Sequence, residues 1–233
     1  MMEETPGIVL AVYAHPDDAD VACGGSLARW AKAGSVVHLI VCTDGGKGTT
    51  DPAVEPGQLA VERAAELESS SAVIGLSSAE NLGFLDGELT DSRDFRRTLV
   101  QRVRSLRPDV VCGHDPTAVF FGQDYFNHRD HRIAGAALLD AVAPAAALPH
   151  YFPDAGPPHQ VSTVLLSATL EPDEWVDISD TIEVKVSAVE CHRTQFAGQD
   201  GWAGEAVRRR AAEEGRRAGV TYAEGFRRLT LGG

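Results

Sequence analysis

A chain of 233 residues with 43% hydrophobic side chains can bury a sizeable core, and its composition is that of one globular domain. Its net charge of -13 argues against a nucleic-acid phosphate backbone or an anionic membrane surface as the main partner. Cys23, Cys42, Cys112 and Cys191 are too scattered for a disulfide scaffold or a CxxC metal site. No apolar run reaches membrane-spanning length, and the acidic start lacks the basic flank of a secretory signal. A cytoplasmic protein without membrane insertion is expected.

Residues 8–12 form a short apolar run rich in β-branched side chains, which fits a strand buried on both faces. It stops at Tyr13-Ala14-His15-Pro16-Asp17-Asp18, where an imidazole and two carboxylates fall within four residues. The carboxyl end of a strand is where open α/β sheets place their ligands. Two adjacent carboxylates repel unless something positive lies beside them, and a divalent cation with an imidazole ligand is the simplest candidate. One turn can aim His15 and Asp18 at the same ion. The competing reading has Asp17 and Asp18 capping the helix that follows, predicted over residues 21–33 and stopped by Gly34.

A second buried strand is predicted over residues 36–42. The glycine-rich stretch around Lys47 after it lacks the GxxxxGK[ST] spacing of a phosphate loop and reads as a mobile loop at the mouth of a site. Residues 59–76 have helical periodicity, with Arg63 and Glu66 on one face. Residues 80–84 read as a short strand ending in a turn at Asp86, which either makes the turn or hydrogen-bonds a substrate hydroxyl. Residues 95–106 form an amphipathic helix whose basic face, Arg96, Arg97, Arg102, Arg104 and Arg107, reads as solvated surface. A further strand at 109–112 leads into a long loop in which His114 is given a supporting role.

The next helical pattern, residues 133–142, is preceded by Asn127-His128-Arg129-Asp130-His131-Arg132. His128 and His131 are three positions apart and share a face. His, Asp and His with an open fourth position suit catalytic zinc, and Asp130 can orient a neighbouring imidazole. Five of the twelve prolines fall in residues 144–158, which reads as a linker or lid. Strands at 161–169 and 174–178 and helices at 181–196 and 205–218 complete the pattern. The expected architecture is α/β and three-layer, with a Rossmann-like, mostly parallel sheet and a smaller C-terminal cap. Residues 1–143 form the core, 144–160 the proline-rich loop or lid, and 161–233 complete the same domain.

The motifs Ala14-His15-Pro16-Asp17-Asp18 with Gly24-Gly25, and His128-Arg129-Asp130-His131-Arg132, resemble those of the LmbE-like family, also called the PIG-L or GlcNAc-PI de-N-acetylase family. Leu82 to Leu89, Glu62-Arg63, and Lys185, Ala188, His192 and Gln195 extend the similarity. The resemblance implies a zinc-dependent hydrolase that cleaves an N-acyl bond, most often N-acetyl, of an amino sugar or its conjugate. It implies Zn2+ on His15, Asp18 and His131, with Asp17 as general base. His128 would stabilise the oxyanion with Asp130 holding it, while Arg63, Asp86 and Lys47 would face the substrate. Spacing alone does not decide which aspartate is ligand and which is base.

Two positions depart from the family pattern. Ala19 stands where a glutamate is usual, with Asp20 as a candidate substitute, and Phe126 stands where some relatives carry tyrosine. An amidase acting on a thiol conjugate and a metal-binding module without catalysis are the other readings. The expected partner is a small molecule, and a homo-oligomer is compatible with the sequence.

Overall fold

Alternation along β1 (Ile8–Tyr13) sets the layers of the molecule. Val9, Ala11 and Tyr13 enter one apolar core and Leu10 and Val12 the other, as the period of two requires. In β2 (Val36–Thr43), Val37, Leu39 and Val41 join the first core, and Ile40 and Cys42 join the second. Helices therefore cover both faces of the sheet. The computed structural model describes residues 1–196 and 201–232.

The remaining elements follow in chain order: α1 (Asp18–Lys32), α2 (Pro56–Ile74), β3 (Ser78–Phe84), α3 (Arg93–Leu106), β4 (Val110–His114), β5 (Phe120–Phe121), β6 (Tyr125–Phe126) and α4 (Arg129–Asp140). A stretch at Ala141–Ala146, kinked at the extended Ala143 (φ -143°), leads to β7 (Thr163–Ser167), β8 (Glu174–Asp177), α5 (Ile182–Val189), α6 (Arg193–Phe196), α7 (Trp202–Ala218) and β9 (Ala223–Thr230). The seven-stranded sheet has the order β3-β2-β1-β4-β7-β9-β8, with β9 antiparallel to both its neighbours and the other pairs parallel. The chain leaves β1 for β2 on one side and later returns to β4 on the other. That reversal opens a crevice beyond the carboxyl ends of β1 and β4.

The C-terminal third extends this sheet through β7, β9 and β8 and so completes the same domain. β9 has no counterpart among the sequence expectations, because Glu224, Arg227 and Arg228 interrupt its apolar pattern. One of those charges is structural. Helix α1 breaks at Cys23 (φ -143°), which frees the amide groups just beyond, and the buried Glu224 carboxylate accepts from the Gly25 and Ser26 N–H groups at 3.0 and 2.7 Å. Lys185 Nζ neutralises it from α5. The carboxylate thus caps a helix in mid-course.

Several expectations shift. Helix α1 begins at Asp18, three residues early, and the helix expected over 181–196 is broken into α5 and α6. The basic face of α3 is not all solvated: Arg104 is 2% exposed and donates to the carbonyls of Ala145, Ala146, Leu148, Tyr151, Phe152 and Gly156. Those carbonyls belong to the proline-rich segment, which this guanidinium fastens to α3. The two cavities beside His15 and Asp18 are lined by other parts of the chain.

Candidate metal centre

The β1–α1 turn brings His15 and Asp18 together at the carboxyl end of β1. The Asp18 carboxylate accepts from the His15 backbone N–H at 2.7 Å, which closes the turn. Asp17 occupies the N-cap position of α1 but its side chain makes no cap hydrogen bond, so the capping reading fails for both aspartates. His131, in the first turn of α4, completes the group. His15 Nδ1 lies 3.1 Å from Asp18 Oδ2 and 3.1 Å from His131 Nε2, and His131 Nε2 lies 3.1 Å from Asp18 Oδ1. A tetrahedral zinc site with bonds of about 2.0–2.1 Å has donor–donor edges of roughly 3.3 Å, so these spacings match one ion.

The outer hydrogen bonds fix which nitrogens face inward. Asn127 Oδ1 lies 2.9 Å from His131 Nδ1 and accepts its proton, which leaves the Nε2 lone pair towards Asp18. Asp86 Oδ1 lies 3.2 Å from His15 Nε2 and does the same for Nδ1. Two inward lone pairs and a carboxylate require something positive between them. Without a cation the imidazole itself would hold a proton: burial opposes this, but Asp18, Asp130 and Asp86 prevail and push His15 up to about 12. Burial would raise Asp18, yet His131, His15 and His114 hold it well below the usual carboxylate range. The donor set fits a divalent N/O-liganded ion.

Overlapping sets of metal-competent side chains include His15, His128 and His131, and also Asp18, His114 and His131. His114 is fully buried at the end of β4, stacks on His131 with ring centres 4.1 Å apart, and has Nε2 3.3 Å from Asp18 Oδ2. Burial lowers its pKa to about 4, so it is a neutral wall behind the group, in keeping with the supporting role.

Asp17 turns the other way. Its Oδ1 accepts from Arg63 Nη2 at 2.6 Å, and Arg63 Nη1 donates to the Gly45 carbonyl. Gly45 is left-handed (φ 66°), and a Cβ there would lie 2.6 Å from Arg63 Nη1, so only glycine admits the guanidinium. Burial and the Asp18 carboxylate push Asp17 up, against the pull of Arg63. Arg63 thus meets Asp17 at the cavity wall, and its helical neighbour Glu66 accepts from Thr194.

His128 sits at the N-cap of α4, where its Nδ1 accepts from the Asp130 backbone N–H at 3.1 Å. An imidazole that accepts at Nδ1 carries its proton on Nε2. Burial and the neighbouring His15 lower its pKa, which keeps this neutral, donating form. The Asp130 carboxylate is 4.0 Å from His128 Nδ1, so the backbone of Asp130, not its side chain, orients that ring. Its Oδ2 instead accepts from Gly87 N–H and lies 3.6 Å from His15 Nε2.

Asp86 faces His15 as well and accepts from the Lys47 backbone N–H, so its carboxylate braces a ligand candidate. Lys47 itself is a rim residue whose ammonium pairs with Glu88. Asp20 does not replace the missing glutamate at this group: it is buried against His192 Nε2 at 2.6 Å. Asn127 was not anticipated, although its position four residues before His131 puts it within reach across the first turn of α4.

The family model described as PIG-L, GlcNAc-PI de-N-acetylase, matches residues 10–142. The chain is 36% identical to a diacetylchitobiose deacetylase of Thermococcus kodakarensis over 225 residues, covering 94% of this chain and 82% of that one. It is 32% identical to a 1D-myo-inositol 2-acetamido-2-deoxy-alpha-D-glucopyranoside deacetylase 2 of Saccharopolyspora erythraea, covering 66% and 63% respectively. Among solved structures, the N,N'-diacetylchitobiose deacetylase of Pyrococcus horikoshii superposes with a TM-score of 0.88 at 32% identity, covering 97% of this chain and 84% of that one. No helix of the described residues is long and apolar enough to cross a membrane. With its motifs at the crevice and its fold shared with that solved deacetylase, the chain belongs to the PIG-L, or GlcNAc-PI de-N-acetylase, family and is an amide-bond hydrolase of the deacetylase kind.

Proposed function

We propose that the protein is a zinc-dependent N-deacetylase acting on an N-acetylated amino sugar or its conjugate. The observation that carries this reading is the close group of His15, Asp18 and His131 with the Arg63-held Asp17 carboxylate beside it. His15 Nδ1, Asp18 and His131 Nε2 would hold the ion. When bound, zinc supplies a Lewis acid for the amide carbonyl and lowers the pKa of water to about 7. Asp17 takes the proton of the attacking water and passes it to the leaving amine, a role favoured by a carboxyl pushed above its ordinary range. His128, neutral and protonated on Nε2, donates to the developing oxyanion. Asn127, Asp86 and Asp130 keep the two other imidazoles in place.

The deacetylases of diacetylchitobiose and of an inositol-linked acetamido sugar among the relatives support the sugar assignment. So does the lining of the crevice, where Lys47 at the rim and Gln195 bring polar groups within reach of hydroxyls. The test is acetate release by zinc-loaded protein from N-acetylglucosamine, diacetylchitobiose and an N-acetylglucosaminyl inositol. Release from at least one is expected. No acetate from any sugar, with rapid hydrolysis of an N-acyl thiol conjugate, would replace the sugar assignment.

A further inference from the structure

The space over the His15 group has two lobes of opposite character, which meet at Asp17, Asp18, Tyr125 and His131. One, about 350 Å³, is edged by Lys47, Arg63, Asp86, His128 and Gln195. The other, about 420 Å³, is walled by Val21, Ala22, Phe121, Ala168 and Phe196, with His114, Asn127 and Arg210 adding polar groups to its lining. An acetyl methyl fills little of that second space.

We propose that the apolar lobe receives the acyl group and that the enzyme also hydrolyses N-acyl amino sugars with chains longer than acetyl. The proposal rests on the amide-hydrolase reading above. An amide carbon carries its nitrogen and its acyl carbon in diverging directions. With the carbonyl oxygen against the His15 group, one substituent points into each lobe. Sugar hydroxyls need donors and acceptors, which the first lobe supplies, and His128, the oxyanion donor, lines that lobe as well. The acyl chain is left to the second lobe.

Small residues keep that lobe open. Ala22 lies on α1, and Ala168 has a left-handed backbone (φ 50°), where a larger or branched side chain is disfavoured. The reaction is unchanged in its balance: the water oxygen bonds to the carbonyl carbon and the C–N bond breaks. Its electron pair goes to nitrogen, which takes a proton, and the products are a fatty carboxylate and the free amine. Burying each added methylene in this lobe is worth about two- to fourfold in kcat/KM.

The experiment compares N-acetyl-, N-butyryl- and N-hexanoyl-glucosamine as substrates of the zinc-loaded protein. Binding of acetate and hexanoate is measured in parallel by calorimetry. Rising kcat/KM with chain length is expected, as is tighter binding of hexanoate. Ala22→Leu should lower the hexanoyl-to-acetyl ratio by about tenfold by filling the lobe, and Ala22→Ser should preserve it. Hydrolysis confined to the acetyl compound, or a ratio indifferent to Ala22→Leu, would overturn the acyl lobe while leaving the deacetylase reading intact. Absence of hydrolysis of all three would overturn both.

Discussion

Arg63 Nη2 donates to Asp17 Oδ1 across 2.6 Å although 46 residues separate them, and the guanidinium is almost wholly buried. The pair holds one carboxylate oxygen while Asp17 keeps part of its surface in the cavity. Arg63→Met, similar in length but uncharged, should therefore retain zinc and lose roughly 10- to 100-fold in kcat with KM little changed. Steady-state kinetics beside metal analysis decide this. A rise in KM with kcat intact would return Arg63 to direct substrate contact.

Asn127 Oδ1 accepts from His131 Nδ1 and would act on a bound metal through that ring. Removing its carbonyl oxygen frees the imidazole to rotate or change tautomer, and loss of such an outer partner typically costs about 10- to 100-fold in metal affinity. Asn127→Ala should show that loss in competition with a chromophoric chelator. An unchanged zinc affinity would mean that His131 needs no such support.

His128 is expected to donate from Nε2 without holding the ion. His128→Ala should keep its zinc and lose about 10²–10³-fold in kcat, the usual effect of removing one oxyanion donor. If zinc content falls in step with activity, His128 is a ligand, as the His15, His128 and His131 grouping permits.

Arg104 bears on stability rather than chemistry. Its six backbone acceptors would lose a buried charged donor in Arg104→Ala, which is expected to cost roughly 3 kcal/mol or more in urea unfolding. Arg104→Lys should recover only part, because an ammonium cannot reproduce the planar fork. An Ala variant within about 0.5 kcal/mol of wild type would show that water satisfies those carbonyls equally well.

How much of this was legible in the sequence depended on how local the signal was. β1, β2 and β4 announced themselves as apolar runs, and the two histidine motifs marked the crevice. Arg104 was misread with its basic neighbours, although it lies four residues after Val100, on the apolar stripe of α3. β9 was hidden by charges that serve α1 and the sheet edge. The two-residue strands β5 and β6 are too short to show any period. Asp86 could be assigned to a turn or to a sugar but not to His15, because that contact joins elements 71 residues apart, residues 15 and 86, through the packing of β3 beyond β2. Such tertiary pairings carry no periodic signature.

We propose that His15, Asp18 and His131 hold zinc while Asp17 handles the proton. The measurement that bears on it most directly is acetate release by zinc-loaded Asp17→Asn beside wild type, with zinc quantified in the same samples. The amide can hydrogen-bond water but cannot accept its proton, so full zinc content with kcat lower by about 10²–10⁴-fold is expected. Turnover near the wild-type rate, or loss of zinc together with activity, would contradict the division of labour between Asp17 and Asp18.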